Sequence, residues 1–256
     1  MAKQSNPDIL YQDDSVVVLD KPDGMLIHPN RYDKQSPTCI GFLAGKLGRR
    51  IYTVHRIDRA TSGVVVFALD SDTARGLAEQ FKEHEVEKDY LALVRGHVHD
   101  EQNIDHPVRR NLHGSHADAQ TYVEPISRTI VPEPVGRYDE AWYSLVWIHL
   151  LTGRSHQARK HLHHINHPIV GDKRHGDRAQ NKYFLSRFGI EHLFLRAYRL
   201  RFRHPGLDKT VEAHAGLPSL WRHVTEEIGL ALPDELVWEQ RVRFVDDSAE
   251  VTDTEA

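Results

Sequence analysis

The residues best suited to chemistry lie in a polar stretch at positions 55–63, H-R-I-D-R-A-T-S-G, which leads directly into the apolar run 64–69, V-V-V-F-A-L. Asp58 is a carboxylate flanked by the guanidinium groups of Arg56 and Arg59. A carboxylate can act as a nucleophile when it is ionised and oriented, and a paired guanidinium favours that charged form. The alternative is an Asp–Arg pair that only fixes a loop, because structural ion pairs are commoner than catalytic ones.

The elements around Asp58 indicate how it would be held. The run 64–69 is rich in β-branched residues and bounded by polar ones, which predicts a buried strand, and active sites are often built on such rigid elements. Two other polar elements lie far along the chain. Tyr90 stands at the polar end of a predicted strand, and the segment 153–159, G-R-S-H-Q-A-R, predicts a turn that places Arg154 near a helix N-terminus.

Spacing excludes several other chemistries. Ala60 and Val64 stand where a nucleophile elbow needs glycines, and the segment 41–47, G-F-L-A-G-K-L, is one residue short of a P-loop and lacks its Ser or Thr. Cys39 is the only cysteine, which excludes internal disulfides and cysteine-based zinc sites. A metallohydrolase using the histidines from His156 to His167 stays open as an alternative, but their spacing fits one helical face poorly, and we expect no metal.

Composition and charge limit the class of protein. The chain has 256 residues, of which 39% are hydrophobic, so it can bury a full core. It has no apolar run of membrane-helix length and no signal-peptide core, which predicts a soluble, cytoplasmic protein without membrane association. The net charge is −4, yet residues 137–204 carry 13 Lys and Arg against 5 Asp and Glu, whereas residues 245–256 carry five acids and no base. This segregation fits either a solvated surface with an acidic tail or a face that tracks phosphates.

Hydrophobic periodicity predicts the elements that carry these residues. Strands are predicted at 9–11, 16–19, 64–69, 88–94, 104–108, 142–151, 194–202 and 210–213, and helices at 38–47, 71–84, 154–164 and 217–227. A turn is predicted at 21–24, K-P-D-G, because Pro fixes φ and Gly accepts a positive one. Runs of strands with few helices between them favour an α+β fold over a doubly wound sheet.

Five segments in order along the chain resemble the motifs of the RluA-type pseudouridine synthases. The stretch 55–63 resembles the H-R-L-D-x-x-T-S-G signature, with Ile57 in place of Leu. The other four segments are 21–24 (K-P-D-G), 88–94 (K-D-Y-L-A-L-V), 153–162 (G-R-S-H-Q-A-R-K-H-L) and 169–172 (I-V-G-D). Together they extend the resemblance over residues 9–230, and five ordered motifs are far more specific than any one alone.

The resemblance implies an activity and a role for individual residues. It implies an enzyme, an isomerase that converts uridine in RNA to pseudouridine without a cofactor, on a central, mixed, mostly antiparallel sheet flanked by helices. Asp58 matches the catalytic aspartate, which attacks the uridine at ribose C1′ or uracil C6; Tyr90 matches the residue that packs on the base and is implicated in proton removal at C5. Arg154 matches the basic partner of the aspartate, and Arg56 the side chain that replaces the flipped-out base. Residues expected to contact RNA or assist base flipping are His55, Arg59, Arg159, Lys160 and Arg196.

The resemblance also suggests a domain organisation and a substrate. Residues 1–235 are expected to form the catalytic domain without an N-terminal S4 domain, and 236–256 a C-terminal extension with an acidic tail. Segments 136–138, 171–181 and 214–217 resemble the branch of the family that modifies uridine 65 of tRNA, so tRNA is the expected partner. No obligate protein partner is indicated, and a monomer is compatible with the sequence. The alternatives are another tRNA or ribosomal RNA uridine and a non-catalytic RNA-binding module.

Besides Ile57, the chain departs from the family pattern at three positions. Asp20 and Asp23 stand where Asn and Ser are usual, and Arg196 stands where His is usual. We expect the change at Arg196 to alter packing or RNA contact near the cleft.

Overall fold

The computed structural model describes residues 6–29, 31, 33–109 and 114–232. The predicted extension 236–256 and its acidic tail lie outside these residues. The strands are β1 (Asp8–Gln12), β2 (Val16–Lys21), β3 (Tyr52–Thr53), β4 (Ser62–Ala68), β5 (Glu87–Arg95), β6 (Gln102–Asp105), β7 (Val108–Arg109), β8 (His116–Ala117), β9 (Gln120–Val131), β10 (Ala141–Leu150), β11 (Leu195–Arg203) and β12 (Thr210–His214). The helices are α1 (Cys39–Leu47), α2 (Ser71–Lys82), α3 (Gln157–His164), α4 (Arg178–Phe188) and α5 (Ser219–Glu227).

One large sheet organises the described residues. Its strands follow the order β1-β2-β4-β11-β5-β10-β9-β6, with β12 paired to β11 and β3 paired to β4. The pairing of β4 with β11 is parallel, and the other strand pairs described are antiparallel. The sheet is therefore mixed and mostly antiparallel, and the predicted α+β class is confirmed.

The apolar run that follows Asp58 forms strand β4. All of its residues are buried, and β2 pairs with it along its length from Val16 opposite Ala68 to Lys21 opposite Gly63. Because side chains alternate across a strand, Val64 and Val66 pack on the side of α2 while Val65 packs on the side of α1. Helices thus cover both faces of β4, which fixes the end of the loop that carries Asp58.

The parallel contact between β4 and β11 is unusually close. Gly63 has φ +111°, and a Cβ at this position would lie 2.0 Å from the carbonyl oxygen of Ala197. Only glycine combines that backbone conformation with that approach. Gly63 therefore brings the strand after Asp58 against β11.

The helices begin largely as their sequences indicate. Thr38 caps α1 by accepting from the N–H of Gly41, and Asp70 caps α2 by accepting from the N–H groups of Asp72 and Thr73. Among the described residues, no helix is long and apolar enough to cross a membrane.

The two-residue strands β3 and β8 were not predicted, and neither were two longer elements, β9 and α4. Strand β9 contains Pro125, has a mixed pattern of burial and carries a bulge at Ile126, because the consecutive β10 residues Leu145 and Val146 pair with Ser127 and Pro125. Helix α4 buries only Gln180 and Phe184, so its sequence lacks a broad apolar stripe. Both elements depend on tertiary packing more than on local pattern.

Candidate active site

Three segments distant in sequence meet around a cavity of about 270 Å³. They are the loop between β3 and β4 with Asp58, strand β5 with Tyr90, and the turn into α3. The residues that line the cavity are His55, Arg56, Ile57, Asp58, Thr61, Phe81, Lys88, Tyr90, Leu150, Gly153, Arg154, His156, Gln157, Ala158, Arg159 and Leu195. The structure thus brings the predicted carboxylate, phenol and arginines together.

The loop that carries Asp58 is fixed on both sides. Ile57 is buried in the core beneath it, while Asp58 turns toward the cavity. The buried ammonium of Lys21 donates hydrogen bonds to three carbonyls, those of Pro22, Met25 and Arg59. Burial lowers the pKa of Lys21 to about 8. All three protons of its charged form are used, so Lys21 ties the turn after β2 to the Asp58 loop.

Asp58 is held by Arg159, which the sequence predicted only as an RNA contact. Nη1 of Arg159 donates to Oδ2 of Asp58 at 2.9 Å, and the Asp58 side chain keeps 23% of its surface exposed. Arg154, the predicted partner, instead donates from Nε to the carbonyl of Asp118 at 3.0 Å. The predicted ion pair is therefore corrected to Asp58–Arg159. Arg154 and Arg159 are five positions apart. The packing of α3 determines which of them reaches the carboxylate.

Arg159 is itself held by Asp172, a site residue that the sequence analysis missed. Nε and Nη2 of Arg159 donate to the two oxygens of Asp172 at 2.7 and 2.8 Å. Burial alone raises the pKa of Asp172, but Arg159 and the backbone N–H groups of His175 and Arg174 outweigh it, and the pKa falls below its usual range. The two-point contact fixes the plane of the guanidinium and directs Nη1 at Asp58. Asp172 lies in the 169–172 motif, but the spacing of the sequence did not indicate that it pairs with Arg159.

Two imidazoles complete this side of the cavity, and neither was predicted as a site residue. Nε2 of His156 lies 3.8 Å from Oδ2 of Asp58, and Nδ1 of His156 lies 2.9 Å from Nε2 of His175. The other histidines of the predicted cluster point elsewhere: His161 bonds to Thr121 and the His106 carbonyl, and His167 to the Arg95 carbonyl. Among the residues described, no group of three His, Cys, Asp or Glu side chains is arranged to hold a metal ion.

Tyr90 forms part of the opposite wall. Burial raises the pKa of its phenol above the usual range, and the charges of Asp58 and Asp89 add to the shift. The phenol is therefore neutral at physiological pH. Within the described part of the chain, no group forms a hydrogen bond with its hydroxyl, so the ring edge and the hydroxyl are available to a bound base.

Arg56 and Arg59 flank Asp58 in sequence but differ in their surroundings. Arg56 is exposed at the rim of the cavity, and its guanidinium has no hydrogen-bond acceptor among the described residues. Arg59 donates to the carbonyl of Gly24 and to the carboxylate of Asp33. Arg59 therefore anchors its own loop, whereas Arg56 is free to enter a substrate.

The remaining predicted RNA contacts are mostly engaged within the protein. His55 accepts the N–H of Val66 at Nε2 and stacks on Phe81, and Lys160 donates to the carbonyls of Arg109 and Ser155. Arg196 is only 3% exposed, which corrects the prediction that it binds RNA.

The environment of Arg196 accounts for two departures from the family pattern. Its guanidinium donates to Asp20 at 2.5 Å and to the hydroxyl of Ser62 at 3.2 Å. The Arg that replaces His is therefore paired with the Asp that replaces Asn. Because Ser62 begins β4, this pair joins β2, β4 and β11 behind the Asp58 loop.

Comparison with known proteins shows the family of this chain. Residues 15–164, which carry Asp58, Tyr90 and Arg159, match the family model described as RNA pseudouridylate synthase. The chain belongs to the RNA pseudouridylate synthase family. The members of this family are isomerases, and the chain is accordingly an enzyme that converts uridine in RNA to pseudouridine.

Curated family members are similar over nearly their whole length. The tRNA pseudouridine synthase C of Haemophilus ducreyi is 36% identical over 237 residues, which cover 89% of this chain and 98% of that protein. The protein of the same name from Haemophilus influenzae is 37% identical, over 87% of this chain and 98% of its own.

A solved structure of this family has the same fold. Human RNA Pseudouridylate Synthase Domain Containing 4 superposes with a TM-score of 0.66 at 25% identity, covering 88% of this chain and 94% of that one. The pseudouridine synthase fold expected from the resemblance is confirmed.

Proposed function

We propose that the protein is a tRNA pseudouridine synthase that uses Asp58 as its nucleophile, and that its target is uridine 65 of tRNA. The observation that carries the proposal is the state of Asp58. Its carboxylate faces the cavity while one oxygen is held by Arg159, which is held in turn by Asp172. A charged, oriented and partly exposed carboxylate is suited to nucleophilic attack.

The chemistry accounts for the other residues around the cavity. Pseudouridine formation breaks the bond between uracil N1 and ribose C1′ and forms a bond between C5 and C1′, so that C5 loses a proton and N1 gains one. Asp58 forms the transient covalent bond, at C1′ or at C6. Meanwhile the detached base must be retained and turned. Tyr90 and the apolar side chains of Leu150 and Leu195 provide a wall on which it can stack.

Access to the cavity requires that the uridine leave its helix. Unstacking costs a few kcal/mol and is favoured when a side chain fills the gap. Arg56 is exposed beside Asp58 and has no acceptor within the described residues, so its side chain can enter the stack while the base moves to Asp58. This arrangement supports the role of Arg56 in base flipping.

The substrate rests on the relatives. Curated proteins that are 36–37% identical to this chain over 87–89% of its length are named tRNA pseudouridine synthase C. The surplus of positive charge over residues 137–204 supports contact with an RNA backbone, because such contacts depend on Lys and Arg.

The test compares two variants on one tRNA transcript. Asp58→Asn removes the nucleophile, and Asp208→Asn makes the same charge change at an exposed turn between β11 and β12. We expect wild type and Asp208→Asn to form pseudouridine and Asp58→Asn to form none while still binding the RNA. The readout is tritium released from C5-labelled uridine, followed by mapping of the modified position.

Each alternative has its own outcome in this experiment. Activity retained by Asp58→Asn would overturn the role of the carboxylate. Modification of a transcript with cytidine at position 65 would assign another target uridine, and binding without modification by the wild type would favour an RNA-binding module.

A further inference from the structure

His156 occupies a backbone conformation that only a few residue types adopt readily. It has φ 56° and ψ 28° and stands at the N-cap of α3, where its side chain makes no capping hydrogen bond. By contrast, Thr38, Asp70 and Asp177 cap their helices with side-chain oxygens. A left-handed conformation is strained for a residue with a Cβ. Such a residue persists only where its surroundings determine it, and these positions cluster at functional sites.

The conformation directs the imidazole of His156 between two partners. Nδ1 lies 2.9 Å from Nε2 of His175, and Nε2 lies 3.8 Å from Oδ2 of Asp58. His175 is fixed as well, because its backbone N–H donates to Oδ1 of Asp172 at 2.9 Å. Asp172 therefore supports two routes to Asp58, one through Arg159 and one through the histidine pair.

Burial and the surrounding charges together set the protonation of His156 and His175. Asp58 and Asp172 face it with negative charge, and Arg159, Lys160 and Arg174 face it with positive charge. Burial is the largest influence, lowering the pKa of His156 and lowering that of His175 to about 4. Both rings are neutral at physiological pH, so one proton lies between them. When His175 donates it, Nε2 of His156 carries its own proton toward Asp58, whereas the opposite tautomer would turn a lone pair toward the carboxylate.

Arg159 and His156 both face the same oxygen of Asp58. Arg159 donates to Oδ2 at 2.9 Å, and Nε2 of His156 lies 3.8 Å from Oδ2, beyond hydrogen-bond distance. Among the described residues, no group donates a hydrogen bond to Oδ1. We propose that His156, fixed by His175, is a positioning residue whose Nε2–H dipole orients Oδ2 of Asp58 together with the Arg159 hydrogen bond, so that Oδ1 is the oxygen presented to the nucleotide. The proposal rests on the proposed role of Asp58 as nucleophile.

The backbone of His156 allows a sharp test by substitution with glycine. Glycine adopts the left-handed conformation without strain but lacks the ring. For His156→Gly we expect kcat to fall about a hundredfold, as for a misplaced reacting group, with an unchanged KM for tRNA and a Tm equal to or above that of wild type. His84 provides the matched control, because it has φ 63° and is exposed. His84→Gly is expected to keep both kcat and KM, with a Tm equal to or above wild type.

A second pair of variants tests the support from His175. His175→Phe keeps a ring but removes the donor, and we expect its kcat to fall about tenfold, whereas His175→Gln keeps a donor and restores most of the activity. A His156→Gly protein with wild-type kcat would overturn the proposal, as would a loss of kcat accompanied by a clear drop in Tm. Wild-type protein inactive on tRNA would overturn the proposed function instead, so the two failures are distinguishable.

Discussion

Two Asp–Arg pairs in this protein are built from the same residue types and serve different ends. Arg199 and Asp89 are 5% and 0% exposed, and both oxygens of Asp89 are used, one by Arg199 at 2.7 Å and the other by His149 at 2.7 Å. Asp58 is 23% exposed and uses one oxygen. The unused oxygen and the adjoining cavity distinguish Asp58, the proposed nucleophile, from the structural carboxylate Asp89. A saturated pair specifies packing, whereas an unsaturated pair keeps capacity for a ligand.

The largest effect is expected from neutralising Asp89, the structural carboxylate. We expect Asp89→Asn to lower the free energy of unfolding by about 3 kcal/mol, because the buried guanidinium of Arg199 loses its innermost partner. Asp58→Asn is expected to leave the free energy of unfolding nearly unchanged. Urea denaturation followed by circular dichroism measures both. Pseudouridine formation per folded molecule should be retained in Asp89→Asn, and a stable but inactive Asp89→Asn protein would contradict the division of roles.

A second prediction tests whether Arg159 or Arg154 is the partner of Asp58. Arg159→Lys should lower kcat about a hundredfold, because one ammonium cannot hold both oxygens of Asp172 and also donate to Asp58 in a fixed plane. Arg154→Lys should lower kcat much less, since Arg154 donates to the Asp118 carbonyl. Steady-state kinetics on the same tRNA compares them. A larger loss in Arg154→Lys would restore the pairing expected from the sequence.

A third prediction concerns pH and the active-site side of the comparison. Burial, with a smaller contribution from Lys88, lowers the pKa of His55 from 6.5 to about 3. Its neutral Nε2 accepts the N–H of Val66 at 3.0 Å. The unfolded chain takes up this proton below pH 6.5 and the folded protein does not, so the free energy of unfolding falls from about pH 6.5 toward pH 3, by at most about 1.4 kcal/mol per pH unit. Above this window His55 contributes no pH dependence.

The matched variant for this effect is His55→Gln, which keeps an acceptor and does not titrate. Urea midpoints at about pH 7.5 and about pH 5 should differ less in His55→Gln than in wild type. Equal pH dependence in the two proteins would show that His55 is not responsible.

The sequence allowed prediction of elements whose local pattern agrees with their packing. Strands β1, β2, β4, β5 and β10 and helices α1 and α2 form where their apolar patterns predicted them, and α2 begins at Ser71 as predicted. Helix α4 and strand β9 were missed because their burial depends on neighbours. The same distinction applies to the site. Asp58 is visible in its own motif, but the contact of Arg159 with Asp58 spans 101 positions and arises only because the fold brings α3 to the loop before β4.

The position of β11 in the sheet has a consequence for how the enzyme comes into being. The Asp58 loop leads into β4 and Tyr90 lies on β5, and β11 is inserted between these two strands. During synthesis both strands emerge long before residues 195–203, and loop closure over such separations is slow. The proposed nucleophile and the proposed stacking residue are joined in one sheet only through this late segment. We therefore expect a chain truncated before β11 to be inactive, because the strand that connects the Asp58 loop to Tyr90 is missing.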